Sequence, residues 1–92
     1  MAQTYKIDIQ SMKFNPDSLT IASGDTVEWT NLMGMPHTVA PDNDEFEGSG
    51  AIGQNKKFSH VFDAPGTIAY HCEIHPFMTG TVIVTASMPD PK

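Results

Sequence analysis

Arginine is absent from this chain, and its five lysines stand against eleven acidic residues, for a formal charge of -6. No face can be strongly basic, which excludes nucleic acid and anionic membrane surfaces as natural partners. No apolar run approaches the roughly eighteen residues of a membrane span. The N-terminus also lacks the apolar core of a signal peptide. Cysteine occurs once, as Cys72, so no intrachain disulfide can form and cysteine counting leaves the redox compartment open. Ninety-two residues suffice for one domain with a modest core. A deep catalytic cleft does not fit in that volume, and an enzyme is not expected.

What is present is alternation. Tyr5, Ile7 and Ile9 lie on one side of a run whose other side is Lys6, Asp8 and Gln10, the period of a half-buried strand. Asn15-Pro16-Asp17 and Ser23-Gly24-Asp25 are turn signals, and between and after them Leu19 with Ile21, then Val27 with Trp29, repeat the pattern. Phe58, His60 and Phe62 share a face, which reads His60 as a core or edge residue rather than a ligand. After the turn Asp63-Ala64-Pro65-Gly66, Ile68, Tyr70 and Cys72 point one way and Thr67, Ala69 and His71 the other, so His71 is read as non-ligating. Thr79 to Thr85 is a β-branched core strand. Seven or eight short strands without a helix predict an all-β, antiparallel Greek-key β-sandwich over residues 1–86, with a disordered tail at 87–92.

Chemistry concentrates at Tyr70 to Gly80, where Cys72, His75 and Met78 follow one another at three-residue steps. A lone cysteine by itself is most often a small buried apolar residue. A thiolate, an imidazole and a thioether together are the soft-to-borderline donors that hold copper in both oxidation states. His37, at the start of a predicted strand just past the loop 31–36, is the best-placed fourth donor. Two histidines, one cysteine and a weak axial methionine are the blue-copper set. Zinc fits less well, because a thioether is a poor zinc ligand.

With these residues assembled, the chain resembles the cupredoxins, within them the amicyanin, pseudoazurin and plastocyanin group. The likeness rests on Met35-Pro36-His37, on Gly24-Asp25-Thr26-Val27 with Trp29, on Gly66-Thr67, and on Tyr70-His71-Cys72 followed by His75-Pro76-Phe77-Met78. It spans about Ile7 to Thr85. The resemblance implies His37, Cys72 and His75 as equatorial ligands of one copper ion and Met78 as the axial one. Thr38 stands where amicyanin-like chains usually carry an Asn whose side chain ties the two ligand loops.

The same resemblance implies a soluble one-electron carrier, periplasmic or otherwise exported, here in its mature form. A monomer is expected, docking redox proteins at an apolar collar of Met33, Met35, Pro36, Pro76 and Phe77 around His75. The competing reading from the same four donors is a copper carrier or storage module that delivers the ion itself. Nitrite reduction would need a second copper, for which only His60 and His71 remain. Four acids, Asp42, Asp44, Glu45 and Glu47, crowd one irregular segment. That segment reads as a solvated loop, with a docking surface for a basic partner as the alternative.

Overall fold

The computed structural model describes residues 2–86; the tail expected at 87–92 lies outside the described residues. Eight strands follow in order: β1 (Thr4–Gln10), β2 (Lys13–Asn15), β3 (Ser18–Ala22), β4 (Asp25–Asn31), β5 (Ala40–Pro41), β6 (Lys57–Phe62), β7 (Gly66–His71) and β8 (Thr79–Thr85). Two four-stranded sheets, β2-β1-β4-β6 and β3-β8-β7-β5, face each other as the expected sandwich. Each sheet is mixed. β1 pairs with β4, and β3 with β8, in parallel, while the remaining pairs are antiparallel. Parallel neighbours cannot share a tight hairpin. Here the chain leaves β1 through β2, crosses to the other sheet as β3, and returns as β4 running in the direction of β1.

The period-two pattern places the core as the sequence predicts. Ile7, Ile9, Val27, Trp29, Ile68, Tyr70, Val82 and Val84 are all buried between the sheets. Trp29 is its centre, with ring centroids 5.4 Å from Tyr70, 5.7 Å from Phe58 and 6.3 Å from Phe62. Such aromatic pairs add about 0.5–1.5 kcal/mol each beyond the area they bury. His60 lies on the inner side of β6, its ring 4.7 Å from Phe46 and 4.7 Å from Phe62, the packing role its aromatic neighbours imply.

Phe46 changes the reading of the acidic segment. The four acids around it are exposed, but Phe46 itself is buried against Trp29, Phe58, His60 and Phe62. The loop is therefore solvated at its charges and pinned at its middle. On the other sheet Tyr70 stands opposite Gly80 in the β7–β8 register, and a Cβ at Gly80 would overlap the Tyr70 ring. Glycine is needed at that position to let the ring lie over the neighbouring strand.

Gly80→Ala is therefore expected to displace the Tyr70 ring and cost about 1–3 kcal/mol in chemical denaturation, the usual penalty of overpacking. A midpoint equal to wild type would mean the ring has room to move. Burial also holds the His60 imidazole below its ordinary range, against a weaker opposing pull from Asp63. The unfolded chain thus binds a proton that the folded chain resists, and stability falls as pH drops below about 6.5. His60→Gln should make that acid-side loss shallower when denaturation midpoints are compared between neutral and mildly acidic buffer.

Candidate metal centre

Two separate stretches of chain meet at one pole of the sandwich. The first carries His37. Pro36 before it removes a backbone donor and disfavours helix at Met35, and the chain reaches His37 through a bend at Met33 to Met35. Instead of opening a strand as predicted, His37 forms a single antiparallel bridge with Ile52, donating its N–H to Ile52 O at 3.2 Å and accepting from Ile52 N at 2.7 Å. The strand proper begins later, at Ala40. His37 is fully buried.

The second stretch carries Cys72, one residue past the end of β7 and on the inward side that Ile68 and Tyr70 share. Its N–H donates to Met78 O at 3.0 Å, and Met78 N–H donates to His75 O at 2.9 Å. These two bonds close residues 72 to 78 into a compact loop that returns Met78, 2% exposed, to the interior. His75 is half-buried on the same loop.

The side chains converge. Cys72 Sγ lies 3.7 Å from His37 Nδ1 and 3.8 Å from His75 Nδ1, and the three donor atoms fall within 4.8 Å of one another. Bonds of about 2.0 Å to nitrogen and 2.3 Å to sulfur around one tetrahedral ion put ligand atoms roughly 3.5 Å apart, so the donor set fits a metal. Burial, and secondarily the neighbouring His75, hold the His37 imidazole below its ordinary range. A neutral ring keeps the lone pair a metal requires. Its Nε2 is buried and makes no hydrogen bond to a protein group, while Nδ1 faces the Cys72 sulfur.

Thr38 joins the two stretches. Its backbone N–H donates to Cys72 Sγ at 3.4 Å, and its hydroxyl oxygen accepts the Glu73 N–H at 2.7 Å. The tie that an Asn side chain makes in the resembled group is made here by a hydroxyl. His71 points away from the donors and pairs through Nδ1 with Asp42 Oδ1 at 2.5 Å.

Phe77, its ring 6.3 Å from that of His75, is 70% exposed. Met35, Leu32 and Ile74 are also open to solvent, Met33 is half-buried, and Pro36 and Pro76 are exposed. Leu32 and Ile74 were not anticipated from the sequence, where an isolated apolar residue in a loop carries no sign of its direction. Asn31 was missed as well, since β4 alternation marks position 31 as inward but its polar side chain gives no hint of its partners.

Residues 1–85 match the family model described as copper binding proteins, plastocyanin/azurin family. Amicyanin-alpha of Methylorubrum extorquens is 36% identical over 90% of this chain and 73% of its own length. Amicyanin of Paracoccus denitrificans is 39% identical, with 85% of this chain and 63% of that protein covered, so the chain spans less than two thirds of that relative. Among solved structures, a Cu(I) form of an amicyanin variant superposes with a TM-score of 0.82 at 32% identity, covering 88% of this chain and 81% of the other.

Thr38→Val keeps the shape of the side chain and removes the acceptor for Glu73 N–H. The metal-free variant should lose about 0.5–1.5 kcal/mol of stability, the net worth of one hydrogen bond, while Thr38→Ser should retain most of it. Equal denaturation midpoints for the two variants would remove the loop tie from this account.

Proposed function

The chain belongs to the copper-binding plastocyanin/azurin family, the cupredoxins, and from that premise we propose that it carries single electrons between redox proteins through one copper ion held by His37, Cys72, His75 and Met78. The observation that carries this reading is the approach of Cys72 Sγ to His37 Nδ1 and His75 Nδ1, at 3.7 Å and 3.8 Å. Copper bound among these donors supplies one-electron chemistry between its Cu(I) and Cu(II) states. Everything else is the work of the protein.

His37, Cys72 and Met78 are anchored in the packed interior, so their positions shift little with the charge of the site. With a metal bound, Cys72 would serve as a thiolate ligand, and the Thr38 N–H aimed at its sulfur would stabilise that negative charge. His75 differs, because its ring is partly open to solvent and lies 6.3 Å from the exposed Phe77. It is the exit for the electron. The apolar collar of Met33, Met35, Pro36, Pro76 and Phe77, widened by Leu32 and Ile74, suits the small interfaces of brief redox encounters. On this reading residues 1–86 are the working unit, monomeric, and periplasmic or otherwise exported.

Delivery of the ion itself is not favoured. Three of the four donors are shut in the core, which opposes rapid release.

The Cu(II)-loaded protein should show the intense visible charge-transfer band of a thiolate-bound copper. His75→Ala should abolish it, and added imidazole should restore part of it by filling the gap left in a site whose other donors stay in place. An unchanged spectrum in His75→Ala would falsify the ligand assignment.

A further inference from the structure

β4 ends on Asn31, whose side chain is completely buried. Alternation turns this position inward where the strand gives way to the loop 32–36, where backbone donors and acceptors need partners. Asn31 bonds three of them. Its Nδ2 donates to Met35 O at 2.8 Å and to Ile52 O at 2.8 Å, and its Oδ1 accepts from Met33 N at 2.9 Å. The main chain of the same residue is held too, donating to Lys56 O at 3.0 Å and accepting from Asn55 N at 2.6 Å.

Ile52 O is the junction. It receives the Asn31 amide and the His37 N–H together, while Ile52 N–H returns to His37 O. Asn31 therefore grips the chain two residues before His37, at Met35, and also grips the strand segment against which His37 is bridged. The loop 32–36, which it holds at Met33 and Met35, carries the exposed Leu32 and Met35. An amide suits this task because it offers two donors and an acceptor in one rigid plane.

We infer that Asn31 is the positioning residue that sets the place of His37 before any metal arrives, and that it fixes the adjoining half of the apolar collar with the same three hydrogen bonds. The functional meaning of this placement rests on the electron-carrier reading. A ligand located by the fold needs little rearrangement when the charge of the site changes, and a collar located by the same group keeps its shape in each encounter.

Hydrogen exchange on the metal-free chain tests the positional claim without copper. In Asn31→Ala the amides of His37 and Ile52 should exchange about tenfold faster than the loss of global stability explains, the equivalent of about 1.4 kcal/mol of local weakening. Val84→Ala, a core truncation in β8, serves as the comparison. It should speed these two amides no more than it speeds the strand amides.

Asn31→Asp is the second variant, and it keeps the acceptor for Met33 N–H while turning a carboxylate oxygen toward two carbonyls. Met33 should remain protected there and His37 and Ile52 should not. Uniform acceleration in Asn31→Ala, or intact protection of His37 and Ile52 in Asn31→Asp, would overturn the inference. With copper loaded, electron self-exchange should slow about tenfold in Asn31→Ala and stay at the wild-type rate in Val84→Ala. Equal rates in both variants count against Asn31. A wild-type copper protein without the thiolate band would sink the electron-carrier reading instead, and the exchange data would still decide for or against Asn31.

Discussion

Two loops flanked by the short β5–β7 pairing of Ala40 with His71 must keep a sulfur and two imidazoles within a few ångströms, and the polar atoms of Thr38 join them directly. Its N–H reaches the Cys72 sulfur from one side and its hydroxyl receives the Glu73 N–H from the other. The first contact is buried and the second partly so, and away from water a hydrogen bond is electrostatically stronger and an unpaired group more costly than at the surface. The rest of the pole is arranged to hold Thr38 still. The His37–Ile52 bridge and the bonds closing residues 72 to 78 remove the freedom that either loop would need to drift.

The barrel of aromatic side chains below the pole has a different task. Trp29 and Tyr70 set the distance between the sheets, and Tyr70 lies two residues before Cys72 on the same inward face. Packing density thus passes directly from the core to the thiol. A carrier with donors fixed by such packing has little room to reorganise, which is the physical property that rapid electron exchange requires. Whether copper geometry is imposed or intrinsic, a scaffold of this stiffness limits its change.

Local patterns were legible in the sequence and distant pairings were not. Strand parity alone predicted that Cys72 faces inward and His71 outward, because a two-residue period needs no knowledge of the partner strand. The run from Cys72 to Met78 was legible for the same reason, being contained in one loop. His37 was legible as a donor by residue type and by likeness, but its bridge to Ile52 joins positions fifteen residues apart in a segment without periodicity. The parallel pairings of β1 with β4 and of β3 with β8 depend on a crossing between sheets that alternation cannot encode. Asn31 and Thr38 bond to backbone atoms of remote segments, and backbone groups look alike at every position.

Phe46 divides the irregular stretch from Pro41 to Gly53 into two short spans anchored at a common point. Shorter spans lose less entropy on closing than one long one, and Phe46 shares the anchoring with the His37–Ile52 bridge and the Val39–Ser49 bonds. Asp42 is tied to His71, beside Cys72, but the exposed Asp44 and Glu47 can be exchanged for residues of another charge without disturbing the ligands. Surface potential and metal chemistry are separate design variables in this molecule, and one can be rewritten for a new environment while the other is inherited unchanged.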